Sequence, residues 1–129
     1  MRKLPAILER RAELARRYDQ ALAGMPELET PSVPPHAVHC YQTYLVRLTP
    51  RCRLPLPEFI RSMSAQGVPC RHSLTCHTEP FFRQLCGEIS LPITEEAART
   101  TVALPLYPTM QDHEHDFVIA TLKAVLAQR

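Results

Sequence analysis

His39-Cys40-Tyr41-Gln42-Thr43-Tyr44-Leu45-Val46-Arg47-Leu48 is the stretch on which the fold turns. Tyr, Thr, Val and Leu suit a pleated surface, and apolar residues at both alternating positions predict a strand buried on at least part of each side, central to a sheet. Before it, Pro26 to Pro35 holds four prolines and no periodic pattern, which predicts an extended connector. Earlier still, Ile7, Leu14, Tyr18 and Leu22 recur at helical spacing, with Pro5 suited to the first turn and Gly24 to the end, predicting a helix from Pro5 to Ala23.

After the strand, Phe59, Ile60 and Met63 share one side of a short helix predicted from Pro57 to Gln66, stopped by Gly67. Val68 to Cys76 alternates imperfectly and contains Pro69, which demotes it to a short or edge strand. Thr78 is a candidate cap for a helix starting at Pro80, and Thr94 for another running to Thr100. Val102 to Tyr107 reads as a small strand broken by Pro105. Asp112 then caps a final helix carrying Phe117, Val118, Leu122, Val125 and Leu126. The expected fold class is α+β, a small, mainly antiparallel sheet covered by helices within one domain spanning residues 1–129.

Composition narrows the function. With 129 residues, 45% of them hydrophobic, the chain suffices for one core and not for two. A formal charge of +2 gives no electrostatic pull toward nucleic acid. Arg2, Lys3, Arg10, Arg11, Arg16 and Arg17 cluster early, but Glu9, Glu13 and Asp19 interrupt them, so they read as a solvated helix face. No run approaches the roughly 20 apolar residues of a membrane helix, and no apolar leader follows the N-terminal charges. Five cysteines without a Cys-x-x-Cys pair argue against a disulfide framework and point to a reducing cytoplasm. Thirteen prolines against three glycines predict many short elements with fixed starts.

The densest polar chemistry is Cys70-Arg71-His72-Ser73-Leu74-Thr75-Cys76-His77-Thr78-Glu79. Cys70, His72, Cys76 and His77 are zinc-ligand types, but strand neighbours diverge and the knuckle spacing is missing. For the same reason Cys76 and His77 make a poor nucleophile and base. The plainer reading makes the cysteines small core residues and the histidines polar rim groups. In Asp112-His113-Glu114-His115, carboxylates at a helix start suit the dipole, and two histidines two apart do not face each other. Three scattered glycines exclude a phosphate-cradling glycine loop.

An ordered set of segments from about Arg10 to Leu126 resembles the C-terminal portion of DegT/DnrJ/EryC1/StrS aminotransferases. Arg10-Arg11-Ala12 with Arg17-Tyr18 and Leu22 resembles the family's domain-entry helix, and His39 to Arg47 the following strand. Gly67-Val68, then Arg71, then His77-Thr78-Glu79-Pro80-Phe81-Phe82 is similar to the family's glycine turn, substrate-side strand and H-x-E-P segment. Leu91 to Ala98, Val102 to Met110 and Val118-Ile119 with Leu122 are similar to its late helix, leucine-proline-leucine strand and closing helix. Ser73 and Phe82 depart from the pattern.

The resemblance implies the small C-terminal domain of a fold-type I enzyme that moves an amino group onto a nucleotide-linked keto sugar with pyridoxal phosphate. It places the Schiff-base lysine and the aspartate that pairs with the pyridine nitrogen in a large domain outside this chain. The only lysines, Lys3 and Lys123, do not match that segment, so the chain alone is expected to bind no cofactor and not to transaminate. His77, Glu79 and Arg71 are the implied substrate contacts, the guanidinium suiting a phosphate or carboxylate. The partners expected are a cofactor-binding large domain or homologous subunit, a nucleotide sugar, and a second copy in a homo-oligomer, with neither nucleic acid nor membrane. An interaction module without enzyme activity and a zinc module are the alternatives.

Overall fold

A computed structural model describes residues 3–73 and 75–127. Leu74, in the predicted edge strand and polar cluster, and Arg2, in the basic cluster, lie outside the described residues. The elements in order are α1 (Leu4–Leu22), β1 (Leu28–Glu29), β2 (Tyr44–Leu48), α2 (Leu56–Ala65), β3 (Arg71–His72), a 3-10 turn (Cys76–Thr78), α3 (Pro80–Cys86), α4 (Pro92–Thr100), β4 (Thr101–Leu104) and α5 (Asp112–Leu126). The strands form one fully antiparallel sheet in the order β1-β2-β4-β3. The fold class is therefore α+β, with β2 inside the sheet as its sequence requires.

Proline placement accounts for much of the element pattern. α1, α2, α3 and α4 each open with a proline at the first or second position. There the missing N–H has no intrahelical acceptor to lose and φ is preset for the helix. Gly67 and Gly87, at φ +84° and +76°, follow the ends of α2 and α3 in the left-handed region that a side chain rarely adopts.

β2 is buried on one face, not two. Tyr44, Val46 and Leu48 point into the core while Leu45 and Arg47 point out. The register Tyr44↔Leu104 and Val46↔Val102 stacks four inward side chains on one side of the sheet. Against them pack Leu14, Ala15, Tyr18 and Leu22 of α1, Phe59 and Met63 of α2, and Val118, Leu122 and Val125 of α5. Full burial of a side chain such as Phe59 contributes about 1.5–3 kcal/mol.

The strand also starts late. Tyr41 is held at φ +46°, and Arg11 donates to the carbonyl oxygens of both Tyr41 and Gln42, at 2.8 and 2.7 Å. A left-handed non-glycine costs about 1–2 kcal/mol, and two charge-assisted bonds offset it. Residues 39–43 thus belong to a clamped turn. Conversely, the proline-rich connector contains a strand: Leu28 and Glu29 pair with Leu48 and Arg47. The predicted strand from Val68 to Cys76 is reduced to Arg71–His72 at the sheet edge, since Pro69 withholds a ladder donor and the chain enters a 3-10 turn at Cys76.

The capping expectations are corrected as well. Glu79, not Thr78, stands at the α3 cap, and Thr78 instead bonds the carbonyl and hydroxyl of Thr75. α4 begins at Pro92 after Leu91, ahead of Thr94. Gln111 caps α5 in a capping box with Glu114, which places Asp112 inside the first turn.

Candidate functional site

β3, the 3-10 turn and the start of α3 carry the three residues singled out in the sequence. Arg71 lies exposed on edge strand β3, opposite Ala103 of β4. His77 lies in the 3-10 turn with only 9% of its side chain exposed, and its Nε2 meets Glu95 Oε1 at 3.3 Å. Glu95 Oε1 also accepts the Leu91 N–H at 2.9 Å, and these two contacts hold its carboxyl below the ordinary value, the backbone bond first. His77 therefore ties the turn to α4. Glu79, one residue past the turn, is exposed and makes no side-chain cap for α3.

The structure thus brings His77 and Glu79 together at one turn and gives Arg71 the adjoining strand, while none of the three lines the larger cavities. One of these, about 880 Å³, opens between the outward side of β2, the entry to α2 and the end of α4. Its floor is apolar, with Leu54, Leu56 and Ile60, and its rim carries Arg47, His72, Glu96 and Arg99. Sequence reading missed it because its walls come from separate segments, brought together by the pairing of β2 with β4 and the packing of α4 near β2. Arg47 at an outward strand position was the one local signal available.

The cysteines do not behave as a group. Only Cys70 is buried, where desolvation raises its thiol to about 11. Cys40, Cys76 and Cys86 are exposed, so the core-residue reading fails for them, and all five are unpaired. Among the described residues no three His, Cys, Asp or Glu side chains converge as a metal site would need. No helix among them is long and apolar enough to cross a membrane.

The basic cluster proves only partly solvated. Arg10 and Arg17 of α1 reach Asp112 at 2.8 and 2.6 Å, and Arg17 also reaches Asp116 at 2.6 Å, pinning α1 to the start of α5. Asp112 is held below the usual carboxylate range, mainly by Arg10. This clasp positions the entry helix.

Pyridoxal phosphate needs a lysine facing a cavity that can hold its ring and phosphate. Lys3 stands exposed before α1 and Lys123 exposed on α5, and neither lines the cavities of 210 to 880 Å³. The residues present do not fit that cofactor.

Comparison with known proteins gives a consistent answer. The fold matches the aminotransferase TlmJ of Streptoalloteichus hindustanus with a TM-score of 0.85 and 32% identity, covering 98% of this chain and 33% of TlmJ. DesV of S. venezuelae matches with a TM-score of 0.85 and 25% identity over 98% of this chain and 34% of its own. PseC of Helicobacter pylori, an aminotransferase of pseudoaminic acid biosynthesis, shares the fold at 14% identity and a TM-score of 0.84. The chain spans about one third of the length of these relatives. The model of the DegT/DnrJ/EryC1/StrS aminotransferase family matches residues 1–123. With that model matching all but the last few residues, and TlmJ 32% identical over 98% of the chain, the chain belongs to the DegT/DnrJ/EryC1/StrS aminotransferases.

Proposed function

We propose that this chain is the C-terminal small domain of a pyridoxal-phosphate sugar aminotransferase and forms one wall of a cleft for a nucleotide-linked keto sugar. The observation that carries the reading is its match to one third of TlmJ at 98% coverage of its own length. The cofactor supplies the electron sink for amino transfer, and the large domain holds it. The roles on this side are binding and orientation. Arg71 pairs with an anionic group of the substrate, and Glu79 accepts hydrogen bonds from sugar hydroxyls. His77, fixed by Glu95, sets the wall and presents its ring edge to the sugar. Five unpaired cysteines suit a reducing cytoplasm.

A chimera in which this chain replaces the matching third of TlmJ tests the proposal. It should transfer an amino group from glutamate to a nucleotide-linked keto sugar. Arg71→Ala and Glu79→Gln should each raise KM on the order of tenfold or more, the scale of one lost charge-assisted contact. Amino transfer absent from a folded chimera would refute the reading. A free chain that stays monomeric and engages neither large domain nor nucleotide sugar would favour the interaction module.

A further inference from the structure

Of the histidine rings that make hydrogen bonds among the described residues, three meet backbone groups. His39 accepts the Tyr41 N–H, His72 bonds the Ser73 carbonyl and His115 that of Leu14. His77 instead meets a carboxylate, Oε1 of Glu95, eighteen residues on in α4.

That oxygen is itself fixed. Glu95 Oε1 accepts the Leu91 N–H at 2.9 Å while the Glu95 N–H donates back to the Leu91 carbonyl at 2.9 Å, a reciprocal pair at the start of α4. The backbone of the His77 turn does not need it. Thr78 bonds the Thr75 carbonyl through its hydroxyl and its N–H, at 2.8 and 3.2 Å, and the Glu79 N–H closes onto the Cys76 carbonyl at 3.1 Å. With the turn self-held and the carboxylate held by its own helix, the contact between them adds the setting of the ring.

Protonation follows from the partner. The Leu91 bond first, then His77, holds the Glu95 carboxyl below its ordinary value, so it stays ionised and only accepts. Nε2 must then carry the proton, and the neutral ring keeps its lone pair on Nδ1. Nδ1 meets no partner among the described residues.

We propose that Glu95 is the positioning residue of the substrate wall: by holding His77 as an Nε2–H donor, it aims Nδ1 as the acceptor for a sugar hydroxyl. The assignment rests on the small-domain reading above and adds a demand on the substrate, a hydrogen-bond donor where the ring meets it. A sugar with a keto or O-alkyl group at that point sets lone pair against lone pair and is rejected.

Nitrogen NMR of the free chain and kinetics of the TlmJ chimera test the inference. With nitrogen-labelled histidine in alkaline buffer, His77 should show Nε2 protonated and Nδ1 bare; the opposite tautomer overturns it. In the chimera, with a thymidine-diphosphate-linked keto sugar as probe, Glu95→Ala should raise KM about three- to tenfold with kcat kept, one hydrogen bond's worth. Glu95→Gln should stay within about twofold, because its amide oxygen accepts the same two bonds. In a His77→Ala background, Glu95→Ala should move KM by less than about twofold. Losing the Leu91 bond should lower Tm equally in both backgrounds, which separates folding from substrate contact. A KM rise that persists without His77 overturns the inference and marks a structural role. So does a KM that ignores Glu95→Ala while amino transfer proceeds, and either result leaves the small-domain reading standing. A folded chimera without amino transfer refutes that reading and the inference together.

Discussion

His115 is fully buried against Tyr18, ring centroids 4.0 Å apart, and its Nε2 meets the Leu14 carbonyl oxygen at 3.0 Å. Nδ1 is buried without a partner among the described residues. Burial first, then the nearby Arg17 guanidinium, lowers its pKa below the ordinary 6.5, while the Leu14 bond and Asp116 oppose the shift. The neutral ring is the folded form, with Nε2–H the donor. Stability is therefore whole above an unfolded-state pKa of about 6.5 and is lost as pH falls from there through the lower folded value. The urea midpoint should drop between pH 7 and pH 5, a window in which ordinary carboxylates stay ionised. His115→Phe should flatten that drop, and an equal slope in the variant would show that other groups cause it. None of this was legible in Asp112-His113-Glu114-His115, because the acceptor is Leu14, 101 residues away. Tyr41 teaches a related lesson: His39 Nδ1 accepts its N–H at 2.9 Å, but the clamp on its left-handed turn also needs Arg11, thirty residues away.

At the scale of elements, sequence reading worked where the cause is local. α1 to α4 open where prolines preset φ, and α2 and α3 stop beside glycines. It failed where two chemistries compete for one job. Asp112 is a good cap by type, but Gln111 takes the role because Glu114 returns a bond to the Gln111 N–H at 2.7 Å. Asp112 is then free to serve the arginine clasp. Glu114→Ala should cost about 0.5–1 kcal/mol, the usual worth of a helix cap, read from thermal unfolding. An unchanged Tm would show the box to be idle. The cap at Thr78 failed although α3 starts at Pro80 as expected, because Glu79 directly precedes the helix and the Thr78 hydroxyl bonds Thr75; the cap at Thr94 failed because Pro92 starts α4 earlier.

For the molecule as a whole, α1, α2 and α5 meet the inward face of the sheet in one core, with Phe59 and Met63 fully buried between them. Phe59→Ala should cost about 3–5 kcal/mol by lost transfer energy and residual cavity. Against a total of about 5–15 kcal/mol that is a large share, and chemical denaturation should show a markedly lower midpoint with the slope kept. A loss below about 1 kcal/mol would mean that the helices slide to refill the space. The sheet and its helices were readable because period and punctuation encode them. The wide cavity beside Arg47 was not, since it exists only after separate segments meet.

The pairing of β2 with β4 has a consequence for divergence. Every residue from Thr49 to Thr100 departs from one strand and returns to its hydrogen-bonded neighbour, and the register Val46↔Val102 is set outside that excursion. Apart from α2, Val68 and Cys70, which fill the core, and β3, which borders β4, the excursion can lengthen, shorten or change side chains without shifting a single sheet partner. The turn proposed to meet the sugar at His77 and Glu79 is thus among the parts freest to vary, and a lineage could retune its substrate while inheriting an unchanged frame.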